Sequence, residues 1–388
     1  LTRLSDIIEC LCMIQTASTS KSRRPTGSRI SPIKRLAFRT FLSLAPLAYS
    51  AVAIAREELV IRYSHLAVPD PNVQASSAHA AVFKAELEKL SEGRIKVDIF
   101  PSGQLAGQVS SVQQVRKGTI QIADISSGVL ASLYYPPLEV FDLPFLFSSR
   151  ATARSVLDND NPFTRKLIED CARKCSIRIL ALAPFGFRHM TNNVRPIRVP
   201  EDMAGLKIRT MEIVPHMKLM ESLGARPVPV PWLELYTSLQ TKVVDGEETT
   251  LQNIVMGKLY QVQKHLTLTG HLMGVGAFLC NEKWYQSLPD DLKSALVESE
   301  KIARQTYDRV GERLDNLALG RLKSYGMEVY SPTREQRQMF MNRARPCVLK
   351  WMEQEHGEAL VCELLAAIEA AEKKLSEQTE PANTEINR

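Results

Sequence analysis

Arg209 is the side chain best placed by its local pattern to do chemistry in this chain. In Gly205-Leu206-Lys207-Ile208-Arg209-Thr210 the apolar Leu206 and Ile208 alternate with Lys207 and Arg209, so the pleat of a strand carries the arginine off the core face. It stands at the strand's carboxyl end, on the crevice side of an open α/β sheet. A guanidinium is a rigid planar fork that matches a carboxylate in a bidentate pair, and in a water-poor cleft that contact is strong and directional. For an arbitrary arginine the commoner role is a surface or interlobe salt bridge, and local pattern alone leaves both open.

Other candidates follow the same logic. Arg188 comes after the apolar run 177–183 and the turn Pro184-Phe185-Gly186, again at the expected end of a strand. Trp232 opens a helix after Pro229-Val230-Pro231, where an aromatic can wall a site or simply pack in the core. His65 and Ser127, at the ends of the first and third expected strands, are polar groups at cleft-facing positions or satisfied turn residues. The sequence holds no G-x-S-x-G elbow, H-E-x-x-H helix, G-x-x-x-x-G-K-[ST] loop or G-x-G-x-x-G turn, and Leu279 occupies the third glycine's place after Gly274-Val275-Gly276. Binding without catalysis is therefore expected, with no metal and no cofactor.

The elements that position these groups alternate. Short runs rich in Val, Ile and Leu at 58–67, 94–100, 120–126 and 177–183 are separated by helical patterns, among them 73–90, a β-α-β-α-β order that predicts a parallel sheet flanked by helices. A second α/β unit starts near Arg188, with strands at 205–210, 226–230 and 243–246 and helices at 213–223 and 232–241. Two mixed sheets imply two lobes, and a cleft between lobes is where small ligands sit. The expected division is 56–185 with 274–320 as lobe I, and 186–273 with 321–375 as lobe II.

After Leu288-Pro289-Asp290, apolar residues keep one helical face from Leu292 to Leu322 and stop at Gly326. At 1.5 Å per residue this helix is roughly 50 Å long, so it must span more than one lobe or coil with a partner. Its spacing is not a strict heptad, which favours spanning. Residues 334–375 continue as amphipathic helix with a break expected at Pro346, and 376–388 read as a disordered polar tail.

The formal charge of +6 on 388 residues resides in residues 1–55, which carry eight Lys/Arg against Asp6 and Glu9; the remainder is balanced, 41 against 41. That removes the electrostatic case for a nucleic-acid partner. A basic run from Lys21 to Arg35, an apolar stretch over 36–54 and Ala53-Ile54-Ala55 have the parts of a secretory signal peptide, cut after Ala55. The exported chain is expected in the periplasm. Of the cysteines beyond the leader, Cys171, Cys175, Cys280, Cys347 and Cys362 form no C-x-x-C pair and are expected to be buried, inert thiols.

Taken in order, several motifs resemble one family. These are Ile99-Phe100-Pro101-Ser102-Gly103-Gln104-Leu105-Ala106, Phe141-Asp142-Leu143-Pro144-Phe145, Gly186-Phe187-Arg188-His189-Met190-Thr191-Asn192, Met203-Ala204-Gly205-Leu206-Lys207-Ile208-Arg209, Glu234-Leu235-Tyr236-Thr237-Ser238-Leu239-Gln240 and Val244-Asp245-Gly246-Glu247-Glu248. Their order and spacing resemble the DctP-type periplasmic solute-binding proteins of tripartite ATP-independent periplasmic (TRAP) transporters. The resemblance implies two α/β lobes joined by crossing strands and a long helix, with a small carboxylate enclosed between them and passed to a small and a large membrane subunit. It also implies that Arg209 makes the bidentate contact, that Arg188 is a second positive group, that Trp232 packs on the ligand, and that Glu248 and the residue after it belong to the site. That residue is Thr249 where the family usually has Asn, so one hydroxyl replaces an amide's donor and acceptor. A secreted enzyme acting on organic acids and a ligand-sensing domain are the alternatives.

Overall fold

The computed structural model describes residues 58–379. The expected leader and cleavage site lie outside these residues, as do residues 380–388.

The first α/β unit has the expected alternation: β1 (Leu59–Ser64), α1 (Ala75–Leu90), β2 (Ile95–Phe100), α2 (Gln108–Lys117) and β3 (Ile122–Ser126), with β1 parallel to both β2 and β3. Three helices follow, α3 (Ser127–Leu133), α4 (Arg150–Val156) and α5 (Pro162–Cys175), before β4 (Ile177–Asn192). The second unit runs β5 (Lys207–Thr210), α6 (Val214–Ser222), β6 (Arg226–Pro229), α7 (Trp232–Gln240), β7 (Gly246–Thr250) and α8 (Leu251–Met256). It is followed by β8 (His265–Asn281), α9 (Glu282–Ser287), α10 (Asp290–Ser324), β9 (Glu328–Tyr330), α11 (Arg334–His356) and α12 (Glu358–Thr379).

The two mixed sheets are halves of one. Nine strands among the described residues run β2-β1-β3-β8-β4-β7-β5-β6, with β9 on β8. The reason is the length of β4 and β8, 16 and 17 residues, which lie antiparallel and serve both ends. β3 pairs with residues 276–280 of β8, whereas β7 pairs with residues 188–192 of β4. The sheet therefore has a β2-β1-β3 half and a β7-β5-β6 half, and residues 184–187 and 272–275 cross between them with a register shift at Pro184/Gly186. These two halves are the lobes.

Several local outcomes differ from the sequence reading. β4 does not end at Ala183 but continues through Arg188, so that arginine is mid-strand. β7 begins at Gly246, where a strand was expected to end, because Lys242 turns at φ 59 and Val243 is exposed. Pro346 does not break the C-terminal helix: it sits on the solvent side, while Ala344, Val348 and Met352 on the other face stay buried. The lost backbone bond then falls where water can satisfy the carbonyl. The break comes at Gly357, φ 87, a conformation that costs glycine nothing. Residues 376–379 are helical rather than tail.

α10 spans both halves over 35 residues. Leu292, Leu296, Ala303 and Tyr307 pack into the core of the first half, beside α1, and Ala318 and Leu322 into that of the second, beside Leu235 and Leu266. α11 packs on α6 and α12 on α4 and α5, so the C-terminal pair touches elements of both halves. No helix among the described residues is long and apolar enough to cross a membrane. Cys171, Cys175 and Cys280 are buried, but Cys347 and Cys362 are exposed, because they fall on the outer faces of α11 and α12.

Candidate ligand-binding site

Arg209 is one residue from the end of β5, held in register between Glu247 of β7 and Val228 of β6. The pleat takes it off the core face as the alternation requires, yet only 1% of it is exposed. Its Nε donates to the carbonyl of Val230 at 2.8 Å, and among the described residues its two terminal nitrogens meet no acceptor. Burial lowers its pKa to about 10, against the pull of Glu247. Glu247 is itself pushed up to about 7 by burial and by the charge of Glu248, and so offers weak compensation. A buried cation whose fork is unpaired is an anion site.

Arg188 has a different status. Its Nε and Nη2 meet Oε2 and Oε1 of Glu248 at 2.6 and 2.9 Å, and Nη2 also donates to the Glu248 carbonyl. His216 lies 3.0 Å from Glu248 Oε1 through Nδ1 and 3.2 Å from Asp142 Oδ1 through Nε2, and His271 Nε2 lies 3.2 Å from Glu248 Oε2. Burial alone would raise the Glu248 pKa, but Arg188 and His216 hold it well below the usual range. Burial would lower that of His216, but Glu248 and Asp142 raise it. Arg188 is thus a charge already matched inside the protein, and Asp142 of the Phe141-Asp142-Leu143-Pro144-Phe145 motif is tied to the same cluster.

Both arginines line one cavity with about 690 Å³ of empty space, its mouth included. Trp232 and Thr249 line it too, and the structure brings these four sequence candidates together. The other three stand back from it. Glu248 is behind Arg188, fully buried. His65 is buried edge-on to the Tyr63 ring, and burial lowers its pKa to about 4. Ser127 is buried at the start of α3, next to Ser126, which does line the cavity.

Several lining residues escaped the sequence reading. Asn253 of α8 donates from Nδ2 to the Thr249 hydroxyl at 3.2 Å, so an amide is present one helical turn beyond the position where the family motif has one. Gln74, Ser76, Asp124 and Tyr307 come from the first half of the molecule. Asp124 was detectable as the one carboxylate inside the strand Ile122-Ala123-Asp124-Ile125-Ser126, whereas Tyr307 is hidden within the apolar stripe of α10.

Known proteins are similar to this chain in sequence and fold. The family described as bacterial extracellular solute-binding protein, family 7 (DctP) matches residues 64–355. A solute-binding protein of Verminephrobacter eiseniae is 36% identical over 260 residues, covering 66% of this chain and 76% of its own. The C4-dicarboxylate-binding periplasmic protein DctP of Rhodobacter capsulatus is 29% identical, covering 84% and 94%. The crystal structure of the sugar acid binding protein of Advenella mimigardefordensis with galactonate superposes with a TM-score of 0.76 at 30% identity, covering 81% and 99%. Its family is one of transport proteins rather than enzymes: this chain belongs to the DctP-type family, the periplasmic solute-binding proteins of TRAP transporters.

Proposed function

We propose that this protein captures a small organic acid in the cavity between its two lobes, 56–185 with 274–320 and 186–273 with 321–375, and delivers it in the periplasm to the small and large TRAP membrane subunits. One observation carries the reading: Arg209 is a buried guanidinium whose two terminal nitrogens have no acceptor among the described residues. A carboxylate is the group that satisfies both at once. In this reading Trp232 packs on the ligand, Thr249 and Asn253 hydrogen-bond it, and Arg188, fixed by Glu248, adds a polar edge rather than a second free charge. A ligand bridging both halves would stabilise the closed form by contacts the open form lacks. Similarity to a galactonate binder and to a C4-dicarboxylate binder supports an acid without choosing between these classes.

Thermal-shift measurement against monocarboxylates, dicarboxylates, sugar acids and their neutral alcohols tests it. A ligand at 100 times its Kd stabilises the folded state by about 2.7 kcal/mol. At least one acid should raise Tm while its alcohol does not; a panel with no responder, or an equal response to the alcohol, would count against it.

A further inference from the structure

The part of the cavity wall supplied by the first half of the molecule is polar and unfinished. Asp124, from β3, is 8% exposed and its Oδ2 has no hydrogen-bond partner. Gln74 and Tyr307, each 1% exposed, leave Nε2 and the phenol oxygen without partners. All three line the cavity together with Ser76, and all come from the half of the molecule that does not carry Arg209. Buried polar atoms are satisfied as a rule, so three orphans around one space imply a missing group.

The donor and acceptor types define that group. Burial raises the Asp124 pKa to about 6 against a hydrogen bond from Ser76, so at neutral pH the side chain is a carboxylate whose Oδ2 still needs a donor. The Gln74 amide needs an acceptor, and the Tyr307 phenol serves as either. A second ligand carboxylate could accept from Gln74 and Tyr307 but would set its charge against Asp124, with Glu300 behind it near His79. An ammonium could donate to Asp124 but would leave Gln74 facing a group that accepts nothing. A hydroxyl does both, donating to one and accepting from the other.

We infer that the cavity takes a hydroxylated monocarboxylate, with the carboxylate on Arg209 and a hydroxyl at the Asp124, Gln74 and Tyr307 end, and that it rejects dicarboxylates. This rests on the role proposed above for Arg209 and adds the identity of the other end.

Calorimetric titration of chain-matched pairs tests it: galactonate against galactarate, erythronate against meso-tartrate, and 4-hydroxybutyrate against succinate and 4-aminobutyrate. Each pair differs at the end opposite the shared carboxylate. The hydroxylated member should bind at least tenfold more tightly than its dicarboxylate or amino counterpart. Asp124→Asn should narrow the preference over the dicarboxylate at least tenfold, and Tyr307→Phe, which keeps the ring in its packing, should weaken the hydroxy acid. Arg209→Ala should weaken every member alike. A dicarboxylate or amino acid binding as tightly as its hydroxylated partner, or a preference unmoved by Asp124→Asn and Tyr307→Phe, overturns the inference and leaves the acid site standing. Failure of every probe to bind, or binding indifferent to Arg209→Ala, overturns the acid site as well.

Discussion

Arg188 and Glu248 meet as a two-pronged ion pair between β4 and β7, with the Arg188 side chain 4% exposed and that of Glu248 fully buried. The pair explains how two arginines on one cavity differ: the first is neutralised from inside the protein, and the second, Arg209, is the one proposed to take the ligand. It also makes Glu248 structural. Glu248→Gln should destabilise the fold by about 3–5 kcal/mol, since an uncompensated buried charge remains. Urea denaturation measures this; a loss below about 1 kcal/mol would mean that Arg188 finds another partner.

Gly246 shares that contact for a steric reason. A methyl group added to it would lie 2.0 Å from the Thr191 carbonyl and 2.7 Å from Asn192 Cβ, both across the β4 ladder. Backbone cannot yield as a side-chain tip can, so Gly246→Ala should cost at least about 3 kcal/mol, the upper end for overpacking. Wild-type stability in denaturant would show the strands separating to make room. The glycine of Val244-Asp245-Gly246-Glu247-Glu248 thus serves packing, and its acid serves charge.

Glu247 should leave a signature in pH. Its folded pKa, raised to about 7 by burial and Glu248, exceeds the ordinary 4.5. Its contribution to stability is therefore fully present below pH 4.5 and lost as pH rises through 7. Glu247→Gln removes that loss, so the variant should gain on the wild type between pH 5 and pH 8, by about 3 kcal/mol at most. Paired melts at the two pH values test this, and a difference that does not change with pH would contradict it.

The exposed thiols separate from the buried ones. Cys347 and Cys362 should take up a maleimide in the native protein, and Cys171, Cys175 and Cys280 only after unfolding. Burial raises the pKa of these last three, which slows them further. Mass mapping of labelled peptides reads this directly; native labelling at Cys280 would place the sheet centre in contact with solvent.

How far the sequence carried depended on whether a signal was local. Arg209 was legible because strand alternation and strand end are both short-range, and α10 because its apolar face repeats over 35 residues. β8 was not, since residues 265–281 are buried on both faces and interrupted by glycines, giving no alternation to read. The Glu248 cluster joins residues from 142 to 271 and the unfinished wall joins residues from 74 to 307, and neither has a local trace. Pro346 misled because it falls on the exposed face of α11, as does Asn342 four residues before it, where water can satisfy the carbonyl that loses its partner.

The central claim is that the unpaired fork of Arg209 holds the ligand's carboxylate, and titration calorimetry of Arg209→Ala with an acid that the wild type binds tests it most directly. Truncating one partner of a buried, hydrogen-bonded charge pair costs about 2–5 kcal/mol, so affinity should fall at least about 30-fold while the apo protein still melts cooperatively. Unchanged affinity in a folded variant would contradict the claim.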